Sequence, residues 1–129
     1  MEIPLRAALI GWLASDPALT AALNSITEEA PSRTSLPWLA IAASASADWS
    51  CKSHPGREVR LALELHSRGD VPDSYGPLVA AISQRIEALP AVQPGYRVVT
   101  RQFLRARTEQ RGESARATLI EYRFRLMAE

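Results

Sequence analysis

Two runs near the C-terminus, Tyr96–Thr108 (YRVVTRQFLRART) and Ser114–Met127 (SARATLIEYRFRLM), decide how this 129-residue chain folds. Both have period-two character, and Gln110, Arg111 and Gly112 between them form a turn signal, so the runs predict the two arms of a long β-hairpin. In the second arm Thr118, Ile120, Tyr122, Phe124 and Leu126 share one face, and Ala117, Leu119, Glu121, Arg123, Arg125 and Met127 share the other. The first face is apolar enough to hold a core. The second sets Leu119 and Met127 beside arginines, the composition of a face that another protein covers. In the first arm Arg97, Arg101, Arg105 and Arg107 share one alternation with Val99 and Phe103, while Val98, Leu104 and Ala106 share the other. That pattern is uneven, and it predicts a bulge or a flip of facing along the strand.

Upstream of the hairpin, Pro90 and Pro94 stop a helix that runs to about Leu89, with Leu78, Val79, Ile82, Ile86 and Leu89 as its apolar side and Asp73 or Ser74 as its N-cap. Before it, Arg57–Ser67 alternates Val59, Leu61, Leu63 and Leu65 against Glu58, Arg60, Ala62, Glu64 and His66, the pattern of a strand that buries one face. Leu36–Ser46 reads as the first strand, apolar on both faces, entered at Pro37 and small enough in its later residues for close approach of a neighbouring backbone. The segment DWSCKSHPG, residues 48–56, reads as a mobile loop or a protruding hairpin tip, and the polar residues 24–35 as a loop. At the N-terminus residues 3–14 predict an amphipathic helix carried by Leu5, Ala8, Leu9, Trp12 and Leu13. Asp16 and Pro17 then open a second, short helix through Leu23, as N-cap and first helical residue. The expected order is ααββαββ: a single α+β domain over residues 1–129, with a mostly antiparallel four-stranded sheet and helices packed on one face.

Composition narrows the function class. No apolar run approaches the ~20 residues of a membrane span, and the opening MEIPLRAALIGWLASD lacks the pattern of a secretory signal, so synthesis in the cytoplasm and no membrane partner are expected. A single cysteine, Cys51, allows no internal disulfide. Charge is unevenly placed: residues 1–96 hold seven cations and ten acids (7 − 10 = −3), and residues 97–129 hold eight arginines and four acids (8 − 4 = +4). Arginine outnumbers lysine fourteen to one, a bias toward fixed, bidentate ion pairs that a GC-rich genome would also produce.

Little of the sequence points to catalysis. Cys51 and His54 in CKSH have the spacing of half a metal site, but the other histidine, His66, lies on a strand and there is no second cysteine, so a four-ligand zinc site is not expected. A Cys–His nucleophile lacks an orienting carboxylate apart from Asp48 in the same loop. The tripeptide RGD at residues 68–70 is of a kind that arises by chance. No glycine-rich phosphate loop or isolated carboxylate pair is present, and neither an enzyme nor a cofactor is expected. The arginines Arg97, Arg101, Arg105, Arg107, Arg111, Arg116, Arg123 and Arg125 leave one alternative, a small basic DNA-binding module that tracks a phosphate backbone with its C-terminal hairpin. Such modules add exposed rings for stacking, and here Tyr122 and Phe124 fall on the core face.

In order and spacing, LRAALIGWLASDPALTAAL, LPWLAIAASASADWSCK, GREVRLALELHSRG and the closing YRFRLMAE resemble the tail-terminator (tail completion) family of long-tailed phages and gene transfer agents. The resemblance covers nearly the full length. It implies a virion structural subunit that closes with its own copies into a ring, commonly hexameric, at the head-proximal end of the tail tube. The ring would end tube polymerisation, contact the tail tube protein, dock the head-completion or stopper protein, and let double-stranded DNA pass without sequence recognition. It also implies a final location at the head–tail junction of a phage or phage-like particle. Candidates for the subunit interface or the lumen are Arg97, Arg101, Arg105, Arg107, Leu119, Arg123, Arg125 and Met127, and candidates for a docking loop are Asp48, Trp49, Lys52 and His54.

Overall fold

The computed structural model describes residues 1–69 and 74–129. Along the chain the elements are α1 (Glu2–Ala14), α2 (Pro17–Ala22), β1 (Ile26–Thr27), β2 (Trp38–Asp48), β3 (Gly56–Arg68), α3 (Gly76–Glu87), β4 (Val92–Gln93), β5 (Tyr96–Gln110) and β6 (Ala115–Ala128). The strands form one mixed six-stranded sheet in the order β1-β2-β3-β6-β5-β4, with β1 parallel to β2 and every other pair antiparallel. The α+β class holds. The four-stranded sheet and the ααββαββ order do not, because β1 and β4 add a two-residue strand at each edge, inside segments that the sequence marks as loops. Two residues show no periodicity, so their pairing is set by the strand beside them.

The four long strands carry the sheet. β3 pairs with β6 through thirteen consecutive partners, from Gly56↔Met127 to Arg68↔Ala115, without a break in register. The alternation in both strands therefore meets in rows: Val59 and Phe124, Leu61 and Tyr122, and Leu63 and Ile120 point to the same side and are buried. On that side lie α1, through Leu5, Leu9 and Leu13, and α3, through Ile82 and Ile86. Each such side chain is worth roughly 1.5–3 kcal/mol when removed from water, so this layer holds the fold together.

The helix ends are tied by specific groups. The Asp16 carboxylate accepts a hydrogen bond from the Ala18 amide at 3.0 Å, the expected N-cap of α2. At α3 the N-cap position falls on Tyr75, whose side chain makes no capping hydrogen bond; of the expected caps, Ser74 lies one residue earlier and Asp73 lies outside the described residues. Arg85 locks α3 to the end of α1. Its guanidinium stacks 3.3 Å from the centre of the Trp12 ring and donates to the Trp12 carbonyl at 3.0 and 3.1 Å, while the Trp12 indole donates to the Arg85 carbonyl at 2.7 Å. At the hairpin turn Gly112 adopts φ +95°, a conformation that costs a residue with a Cβ more than it costs glycine.

Candidate assembly surface

The side of the sheet opposite the helices has no element packed on it among the described residues. Cross-strand pairing arranges this open face in rows: Ala47, Glu58, Arg125 and Thr100; Ala45, Arg60, Arg123 and Gln102; Ala43, Ala62, Glu121 and Arg105; Ala40, Glu64, Leu119 and Arg107; Trp38, His66, Ala117 and Glu109. Apart from Trp38, one side of the face is small and uncharged, and the other is rich in arginine.

Facing in β5 departs from the simple alternation. Register shifts at Val98/Thr100 and Phe103/Arg105 leave Val99 and Leu104 as extra residues. The first flips the facing and the second flips it back. Arg97, Arg105 and Arg107 consequently lie on the open face, whereas Arg101 and Phe103 pair with Phe124 and Tyr122 on the helix side. The expected flip of facing is thus present, and it separates Arg101 from the other three arginines of its alternation. Arg101 reaches the C-terminal end of α3, where it donates to the carbonyls of Glu87, at 3.1 Å, and of Leu89, satisfying groups that the helix end leaves free. Its partial burial pushes the guanidinium below its ordinary range, against the opposing pull of Glu87.

Most arginines of the open face are matched by acids. Arg105 donates to Glu121 at 3.1 Å, and Arg125 to Glu58 at 3.1 Å, with Arg123 at 3.7 Å from the same carboxylate. Arg123 also donates to Gln102. Arg107 and Arg111 close on Glu109, and they hold its carboxyl below the usual carboxylate range, Arg107 contributing more. Arg97 meets Glu129 at 3.1 Å. These partners, above all Glu58 shared by two arginines, were invisible to sequence reasoning, because they depend on which residues of β3 and β6 stand side by side. Leu119 and Met127 are half-buried within this charged field, as their alternation predicts.

The docking-loop candidates lie at one end of the sheet. Residues 49–55 connect β2 to β3 as a hairpin tip, closed by the Trp49 amide on the Gly56 carbonyl at 2.9 Å and by the Cys51 amide on the His54 carbonyl at 3.0 Å. Gly56 admits no side chain, since a Cβ there would run into the Trp49 carbonyl oxygen. Asp48 accepts from Ser50 at 2.6 Å, Lys52 and His54 are exposed, and the Trp49 ring lies 5.5 Å from the Arg125 guanidinium, joining the tip to the open face. Cys51 is exposed. The Ser53 hydroxyl, then the amides around it, push its thiol below the ordinary value. Among the described residues no group of three or more His, Cys, Asp and Glu side chains is placed to hold a metal ion.

The cavities described on the open face are small. A cavity of about 170 Å³ among Ala43, Ala45, Arg60, Ala62 and Glu121, and one of about 130 Å³ among Glu64, Arg107, Glu109, Arg111 and Leu119, both fall short of the ~300 Å³ at which small-molecule sites begin. A broad, shallow, ion-paired surface suits another protein better than a small ligand. No helix among the described residues is long and apolar enough to cross a membrane.

Comparison with known proteins bears on the family of this chain. The curated proteins give no match. Among solved structures, a chain of the "Virion of native gene transfer agent (GTA) particle" is similar in fold, with a TM-score of 0.77 and 21% sequence identity over 97% of this chain and 96% of that one. The sequence profile described as "Tail completion protein gp17" matches residues 7–129. A match over nearly the whole of the α1-to-β6 architecture shows that this chain belongs to the tail completion protein gp17 family.

Proposed function

We infer that the chain is a ring-forming virion subunit that caps the head-proximal end of a tail tube, ends tube growth, and joins the tail to a head-completion or stopper protein, with double-stranded DNA passing through the ring. Six copies per ring is the expected order. The observation that carries this reading is the family match over residues 7–129. The open face adds physical support: a helix-free surface with two half-buried apolar residues among paired charges is suited to being covered. Mixing the purified protein with growing tail tubes should stop elongation and leave ring-shaped density at one end. Tubes that lengthen unchecked and carry no such density would sink the reading.

Ion pairing weighs against the alternative of a basic DNA-binding module. Arginines already closed on Glu58, Glu109 and Glu121 must break those contacts before they can neutralise phosphates. DNA retention should therefore be weak and little changed by Arg105→Ala combined with Arg107→Ala. Tight retention with a steep salt slope, lost in that double variant, would favour the alternative instead.

A further inference from the structure

The sheet ends on both sides in strands that lack a neighbour over most of their length. β4 covers β5 only at Tyr96 and Arg97, with one further hydrogen bond from the Val98 amide to the Ala91 carbonyl at 2.7 Å. From Val99 to Gln110 no strand lies on the outer side of β5, away from β6, among the described residues. On the other side β1 covers β2 only at Leu39 and Ala40, so that Ile41–Asp48 is equally open. An open edge presents backbone donors and acceptors to any strand that approaches, and soluble proteins usually guard it with lysine, proline or inward charges. The open part of β2, IAASASAD, holds no lysine, proline or charge before Asp48, its bulge at Ala42 lies at the near end, and beyond it Ala43, Ala45, Ser46 and Ala47 are exposed. Along β5, Val99 and Phe103 are 46% and 49% exposed.

The two edges are complementary in direction, charge and size. β2 is antiparallel to β3, β3 to β6 and β6 to β5, so β2 and β5 run in opposite directions. A copy rotated about an axis along the strands therefore brings its β2 antiparallel to the β5 of its neighbour, with the helices of both copies on the same side. Repetition of that step is a head-to-tail contact, which closes into a ring where its rotation divides the full circle. Ile41–Asp48 carries a single charge, the acid Asp48, and β5 carries four arginines and one acid (4 − 1 = +3). The alanines and serines of β2 leave room for Val99 and Phe103.

We propose that Ile41–Asp48 of one copy adds as a strand to the open edge of β5, within residues 99–110, of the next copy. The sheet then runs unbroken from subunit to subunit, and the open faces join into one continuous arginine–glutamate wall. This rests on the ring reading and names the contact that makes the ring. Register through the sheet sets Ala45 level with Gln102 by way of Arg60 and Arg123, both on the open face. Strand tilt in a closed ring moves that pairing along by steps of two.

Hydrogen exchange on the unmodified full-length protein, as monomer and as ring, tests the contact directly. Amides of 41–48 and of 99–110 should both slow at least tenfold on assembly. Independently, in a Cys51→Ser background, Ala45→Cys with Gln102→Cys, or the adjoining pair Ala47→Cys with Thr100→Cys, should yield a ladder of covalent multimers on oxidation. A ring whose two edges exchange as fast as in the monomer, and in which no pair cross-links, overturns this contact and leaves the ring reading standing. Slowing of either edge only after tail tube protein is added assigns that edge to the tube subunit and overturns the contact as well. A protein that forms no ring alone or on tubes removes both readings.

Discussion

The two faces of this sheet are made from the same four strands and held by different forces. On the helix side, rows such as Leu61–Tyr122 and Leu63–Ile120 are fully buried and the helices lie on them. On the open side, the alternate residues of those strands meet as Glu58 with Arg125 and Glu121 with Arg105, at distances of 3.1 Å and with substantial exposure. The first face stabilises the subunit. The second contributes little to a lone chain, because exposed ion pairs are worth only ~0–1 kcal/mol, and its use is to be looked for in assembly.

That division can be broken by substitution. Leu63→Ala, in the middle of the covered face, should cost about 3 kcal/mol in urea unfolding, the loss expected when a fully buried leucine leaves a cavity. Tyr122→Phe should cost about 1–2 kcal/mol, since it removes a hydrogen bond of 2.8 Å to the Glu87 carboxylate. The same variant carries a pH signature. Burial, followed by the neighbouring Glu87, pushes the Tyr122 hydroxyl up to about 12. Its contribution is complete below the ordinary tyrosine range near 10 and is lost as pH rises through about 12, so the wild type should lose stability across that window more steeply than Tyr122→Phe.

Arg101 and Arg105 give a finer contrast, four residues apart on one strand and on opposite faces. Arg101→Ala should destabilise by about 1 kcal/mol through the uncapped end of α3, read as a lower midpoint of thermal unfolding. Arg105→Ala should change stability by less than ~0.5 kcal/mol, while weakening ring formation or tube capping. If the two variants were equally destabilising, or if Arg105→Ala left assembly untouched, the assignment of one face to folding and the other to association would fail.

How much of this was legible in the sequence follows from the register. β3 and β6 pair without a break, so strict alternation in Arg57–Ser67 and Ser114–Met127 was enough to identify their buried and open residues. β5 is readable as a strand with an irregularity, but nothing in VVTRQFLRAR marks Val99 and Leu104 as the extra residues, so alternation alone groups Arg101 with Arg97, Arg105 and Arg107. The short edge strands were missed because a pair of residues has no pattern. The ion-pair partners were missed because Glu58, Arg123 and Arg125 lie far apart in sequence and become neighbours only through the β3–β6 ladder. The sequence leaves residues 48–56 either a mobile loop or a hairpin tip, and the Trp49 and Gly56 backbone contact decides for the tip.

The inserted residues have a mechanical consequence. Ala42 is an extra residue in β2, and Val99 and Leu104 are extra in β5, while β3 and β6 between them have none. A strip whose two borders are longer than its midline cannot lie flat, and at ~3.3 Å per residue the surplus must be taken up as bowing of the rims. Curvature is thus written into the outer strands by length alone, so the subunit arrives already bent before any neighbour is present.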